Sequence, residues 1–134
     1  ALENILTTVR EFARGRVISL FGCGGDRDHG KRPMMGEISG RLADYTILTS
    51  DNPRTEDPYE ILRAVEEGIK KTEGKYEVVE NRREAIRRAL EIAREGDVVV
   101  LAGKGHETYQ EIMGVKRPFD EKVVVRELLA EMRQ

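Results

Sequence analysis

Three short polar segments hold the side chains best placed to do chemistry. Gly22-Cys23-Gly24-Gly25-Asp26-Arg27-Asp28-His29-Gly30, Asp51-Asn52-Pro53-Arg54 and Gly103-Lys104-Gly105-His106-Glu107 each follow closely on a short apolar run. If those runs are parallel strands, all three segments leave the carboxyl edge of one sheet, where open α/β folds place their ligands. Together they offer guanidinium groups, carboxylates, an amide and flexible backbone, a set suited to a small zwitterion. Arg54 is the most pointed of them. A turn accounts for Asp51, Asn52 and Pro53 through local hydrogen bonding and a fixed φ, but it leaves the arginine unexplained. The planar fork of arginine matches a carboxylate bidentately, so Arg54 on a proline-stiffened turn reads as an acid anchor.

Other chemistries fit less well. A dinucleotide fingerprint fails at Arg27, which stands where G-x-G-x-x-G needs its third glycine for close helix-to-strand packing. Gly103-Lys104-Gly105 lacks the spaced glycines of a P-loop and the Ser/Thr after its lysine, so this chain is not expected to bind ATP phosphates by itself. The glycines also serve any tight strand-to-helix turn, with or without a ligand. Asp26, Asp28 and His29 have no recognised metal-ligand spacing and read as turn or ion-pair residues. His106 and Glu107 are adjacent without a nucleophile nearby, which leaves a ligand-orienting role beside plain solvation. Cys23 has no identifiable activating base and reads as a small turn residue.

The bulk properties narrow the class. A chain of 134 residues is the size of one domain. Its 23 Lys+Arg nearly cancel its 25 Asp+Glu, and a net charge of -2 gives no global field to draw nucleic acid or anionic lipid. One cysteine cannot form an intramolecular disulfide, and no apolar stretch approaches a membrane span or resembles a signal peptide; the expected compartment is the cytoplasm. Mixed charge, as in Glu80-Asn81-Arg82-Arg83-Glu84, is compatible with surface ion-pair networks.

The elements that would position the three segments are readable from periodicity. Leu2, Ile5, Leu6, Val9, Phe12 and Ala13 recur at helical spacing. This start on a packed element, without Met, suggests a piece cut from a larger protein. Val17-Ile18-Ser19-Leu20-Phe21 and Tyr45-Thr46-Ile47-Leu48-Thr49 read as strands, separated by a helix with Pro33 in its first turn and Met34, Met35, Ile38 and Leu42 along it. Asp57-Pro58 caps a helix bearing Ile61, Leu62, Val65 and Ile69, and Gly74 ends it. Tyr76 to Val79 is a short strand, and Asn81 with Glu84 resembles a capping box for the next helix. Asp97 to Ala102 is the most apolar strand and is expected at the centre of the sheet. Thr108–Ile112 and Val115–Phe119 flank Met113-Gly114 as a small hairpin, before a last helix capped by Asp120. The alternation implies an α/β, Rossmann-like, doubly wound and mostly parallel sheet with a small C-terminal hairpin.

In this order and spacing the segments resemble those of the C-terminal domain of a Mur ligase, over essentially the whole chain. Gly22 to Asp28, continuing through Gly30-Lys31-Arg32-Pro33, is similar to the family's first segment. Asp51-Asn52-Pro53-Arg54 resembles the signature of the subgroup that adds meso-diaminopimelate, and Gly103 to Glu107, followed by Tyr109-Gln110, resembles the third segment. The resemblance implies an amino-acid site made of Arg27, Asp51, Asn52, Pro53, Arg54, Gly103 and Glu107, beside which His106 keeps the orienting role read from the residues. It implies no catalytic residue and no metal site in this chain, taken as one domain, residues 1–134, cut from a three-domain ligase of peptidoglycan and cell-wall biosynthesis. ATP and Mg²⁺ would be bound mainly by the missing domains, none by this chain alone. The implied partners are meso-diaminopimelate and UDP-N-acetylmuramoyl-L-alanyl-D-glutamate, with no nucleic acid and no membrane. A ligase selecting lysine or another diamino acid, and a non-catalytic Rossmann-like binding module, remain open as alternatives.

Overall fold

A computed structural model describes residues 2–25, 29–102, 109–112 and 115–132. Strand β1 (Val17–Phe21) sets the layering, because alternate side chains of a strand point to opposite faces. Val17 and Phe21 join one apolar cluster with Leu2 and Leu6 of α1 (Leu2–Phe12), Leu48 of β2 (Tyr45–Leu48), and Ile61, Leu62, Val65 and Ile69 of α3 (Pro58–Ile69). Ile18 and Leu20 join a second cluster with Ile47, with Ala85, Ile86 and Ala89 of α4 (Arg82–Ile92), and with Val124 and Leu128 of α5 (Glu121–Met132). Helices therefore cover both faces of the sheet, as the alternating pattern predicts. Among the described residues no helix is long and apolar enough to cross a membrane.

The remaining elements are α2 (Lys31–Leu42), β3 (Lys75–Val78), β4 (Val98–Ala102) and the antiparallel pair β5 (Tyr109–Ile112) and β6 (Val115–Pro118). The main sheet is wholly parallel in the order β3-β2-β1-β4, with Leu20 of β1 opposite Ile47 on one side and Leu101 on the other. The caps fall where the residue types put them. Asp57 accepts a bond from the Tyr59 N–H at 2.9 Å, Asn81 accepts one from the Glu84 N–H at 3.0 Å, and Asp120 accepts one from the Lys122 N–H at 3.1 Å.

One expectation is corrected. β4 is an edge strand of the four-stranded sheet, not a central one. Its apolar run answers to helices rather than to flanking strands: Val100 and Ala102 enter one cluster while Val99 and Leu101 pack against the other. In α2, Met35, Ile38 and Leu42 pack against the first cluster while Met34 faces outward, and the deepest positions belong to small and charged residues. Met34 is 60% exposed, and Arg32, Gly36, Ser39 and Gly40 are the buried residues. The reason is close helix packing. A Cβ at Gly36 would collide with the Val65 carbonyl of α3, so the α2–α3 contact needs small residues where periodicity alone looks for large ones.

At the amino end of the sheet, Asp97 ties the chain entering β1 to the chain entering β4. Its carboxylate accepts bonds from the Arg94 and Arg16 N–H groups at 2.9 and 2.7 Å and from Arg16 Nη2 at 2.9 Å. Those bonds, the Arg94 and Arg16 amides first and the Arg16 guanidinium after them, lower its pKa from 3.8 to about 2. A carboxyl group depressed on folding stabilises the native state above its unfolded pKa, and that contribution is lost as pH falls through the folded value. Thermal melts of the chain are expected to show Tm falling between about pH 4 and pH 2, with Asp97→Asn flattening the slope in that window. An unchanged slope in the variant would remove Asp97 from the acid response.

Candidate functional site

The strand order decides which polar segments meet. β2, β1 and β4 are consecutive across the sheet, so the segment after β1 leaves between the segments after β2 and β4. β1 runs on to β2 and β3 on one side while β4 lies on the other, which puts the topological switch point between β1 and β4.

The first two segments are joined backbone to backbone. The Gly25 N–H donates to the Asn52 carbonyl at 2.7 Å, and the Thr49 N–H donates to the Phe21 carbonyl at 3.0 Å. Glycine is required at position 25 by this approach, because a Cβ there would overlap the Pro53 carbonyl. Arg54 crosses back over the same junction. Its Nη1 donates to the Gly25 carbonyl at 2.9 Å and the Asn52 carbonyl at 3.3 Å. Arg54 also sits at φ 55, in the left-handed region, the single non-glycine to do so among the described residues. That conformation costs about 1–2 kcal/mol for a residue with a Cβ, and the two carbonyl bonds hold it in place.

A second arginine fixes the junction from beneath. Arg32, 4% exposed, makes a bidentate pair with Glu56 at 3.1 and 2.7 Å, and its Nη2 reaches the Gly24 carbonyl at 3.3 Å. His29 Nε2 lies 3.3 Å from the same Glu56 carboxylate, an ion-pair position for one of the residues weighed as a metal ligand. Cys23 is buried with its Sγ 3.5 Å from Met35 Sδ. Burial, opposed by Arg32 and reinforced by Asp51, pushes its thiol up to about 11, which suits a packing residue and not a nucleophile.

Of the residues singled out from sequence, Asp51, Asn52 and Pro53 are buried and Arg54 is half-buried, all at the carboxyl end of β2. Arg27, Gly103, His106 and Glu107 lie outside the described residues, as do Asp26 and Asp28. A groove of about 740 Å³ lined by Arg16, Asp44, Lys71 and Lys75 lies at the opposite, amino edge of the sheet, away from residues 51–54.

One residue escaped the sequence reading. Arg82, the first residue of α4, is 1% exposed although its neighbours look like a solvated charge run. Its Nε pairs with Glu121 at 2.6 Å, its Nη1 donates to the Ser50 carbonyl at 3.0 Å, and its Nη2 donates to the Ala102 carbonyl at 3.2 Å. The available signal was its place just after the Asn81 cap, at the end of the helix that faces the strands' carboxyl edge.

Comparison with known proteins identifies the family and the fold. The family model described as Mur ligase, glutamate ligase domain, matches residues 1–105. The chain is 58% identical over 97% of its length to UDP-N-acetylmuramoyl-L-alanyl-D-glutamate–2,6-diaminopimelate ligase of Caldanaerobacter subterraneus subsp. tengcongensis, and 57% identical over 98% of its length to the ligase of that name from Clostridium botulinum. It covers 27% of each relative. A solved structure of a ligase of the same name superposes with a TM-score of 0.94 at 45% identity, over 99% of this chain and 27% of that one. The matched segments, the wholly parallel sheet and the near-complete superposition lead to one conclusion: the chain belongs to the Mur ligase, glutamate ligase domain family.

Proposed function

We propose that this chain recognises the incoming amino acid in an ATP-dependent ligase that adds meso-diaminopimelate to UDP-N-acetylmuramoyl-L-alanyl-D-glutamate. The observation that carries this reading is Arg54 at the carboxyl edge of the sheet, in a chain 58% identical to a ligase of that name. The Gly25 and Asn52 carbonyls hold Arg54 Nη1 at this edge, and the planar guanidinium would meet a carboxylate there. Asn52 supports the same carboxylate, Arg27 holds another, and Glu107 takes the ammonium of the distal amino-acid end. Asp51, Pro53 and Gly103 complete the amino-acid site, and His106 orients the ligand. The free amine is thereby aimed at an activated carboxyl carbon. It forms the amide bond as phosphate leaves, and the amine's proton is given up.

The chain's contribution is positioning. Its sequence has no P-loop. In this reading ATP and Mg²⁺ are bound mainly by other parts of the ligase, and residues 1–134 act as one domain of it.

The test is amide formation by a ligase carrying this chain, with meso-diaminopimelate and lysine compared side by side. Diaminopimelate is expected to be strongly preferred, and a preference for lysine would overturn the assignment. In the same assay Glu107→Gln keeps the shape and removes the charge. It is expected to raise the KM for diaminopimelate by about three- to tenfold while leaving that for ATP near normal. An unchanged amino-acid KM would take Glu107 out of the site.

A further inference from the structure

β2 and β4 are not neighbours. β1 lies between them, so at a strand spacing of about 4.8 Å their axes are roughly 10 Å apart, and no ladder hydrogen bond joins them. The walls that would hold the two ends of the amino acid leave from these two strands, at residues 51–54 after β2 and at Gly103 after β4. Something has to set their separation. Arg82 alone among the described residues bonds to both strand ends: Nη1 to the Ser50 carbonyl, one residue before Asp51, and Nη2 to the Ala102 carbonyl, one residue before Gly103. Glu121, at the start of α5, takes Nε and fixes the plane of the fork. The guanidinium is buried and all three of its nitrogens are engaged by protein, so it is a brace and not a ligand-binding arginine.

We propose that Arg82 is a positioning residue for amino-acid recognition, one guanidinium that sets the distance between the carboxyl ends of β2 and β4, at Ser50 and Ala102, from which residues 51–54 and 103–107 continue. This rests on the reading that both segments contact the amino acid. A misplacement of about 1 Å between two ends of a clamped substrate can cost up to ~100-fold in rate, so a brace at this point has leverage that its distance from the ligand conceals. Lysine carries the same charge on a single nitrogen and cannot divide it between two carbonyls and a carboxylate held in one plane.

The experiment is steady-state kinetics of a ligase carrying this chain, as wild type, Arg82→Lys and Glu121→Gln, with the KM for the amino acid and for ATP measured separately. Arg82→Lys is expected to raise the amino-acid KM about tenfold with the ATP KM within about twofold, and Glu121→Gln to raise the amino-acid KM about two- to fivefold. A loss of thermal stability without this split, or an equal rise in both KM values, would make Arg82 merely structural and overturn the proposal. Should Arg82→Lys fail to fold, Glu121→Gln decides alone, and an unchanged amino-acid KM overturns the proposal. The two readings separate cleanly. If the wild type adds another diamino acid, the diaminopimelate assignment fails and the split is read with the acid it does add; if the wild type adds diaminopimelate and the variants show no split, only the brace fails.

Discussion

Arg54→Ala, in a ligase that carries this chain, is expected to lower kcat/KM for meso-diaminopimelate by roughly ten- to a hundredfold, the equivalent of about 1.5–3 kcal/mol for a lost charge-assisted contact. Lysine should suffer less, because its side chain has no carboxylate for the fork to hold. The backbone adds a useful control. At φ 55 an alanine stays strained while a glycine does not, so Arg54→Gly removes the guanidinium and relieves the turn together. Equal losses in the alanine and glycine variants would assign the effect to the guanidinium, and recovery in the glycine variant would assign it to the backbone. Should diaminopimelate and lysine lose activity equally in a folded variant, Arg54 would be a structural or general catalytic residue, and the assignment would lose its main physical support.

Gly25→Ala carries the second large effect. The added methyl would meet the Pro53 carbonyl, which is backbone fixed by the Gly25–Asn52 hydrogen bond and by Pro53's own ring, so neither side yields without parting the two segments. Overpacking of this kind costs about 1–3 kcal/mol, which for a domain of this size lowers Tm by roughly 3–15 °C. The amino-acid KM should rise with it, because Arg54 Nη1 bonds to the carbonyl of the residue being changed. An unaltered Tm and KM would show that the segments tolerate a gap, contrary to the packing seen here.

The architecture was legible because its cues are local. Apolar runs of strand length, Asp57-Pro58, Asn81 and Asp120 each act within a few residues, and each cap bonds where its type implies. What was not legible is set by distant partners. β4 reads as central because two helical layers make it apolar, and edge or centre depends on which strands lie beside it. Arg82 sits in a charged run that resembles solvated surface, and only the convergence of Ser50, Ala102 and Glu121 buries it. The left-handed turn at Arg54 leaves no compositional trace either, since glycine or asparagine is the usual mark of such a position. For the candidate site, residue type at a sheet edge made Arg54 conspicuous, whereas the structural reason for Gly25 needed Pro53's backbone beside it.

The junction between residues 22–25 and 49–56 also bears on how preference for one amino acid over another could change. Residues 51–54 are not a detachable cassette. Moved into a related chain that lacks glycine at position 25, they would set Pro53's carbonyl against a Cβ, and the backbone shift that follows would displace the carbonyl on which Arg54 rests. Drift at position 25 is therefore constrained by position 53 whether or not a ligand is present, and Glu56 ties in Arg32 as well. A specificity transplant has to carry both loops together, and lineages that changed their amino acid would have done so most easily at side chains pointing out of this junction, with the paired backbones left intact.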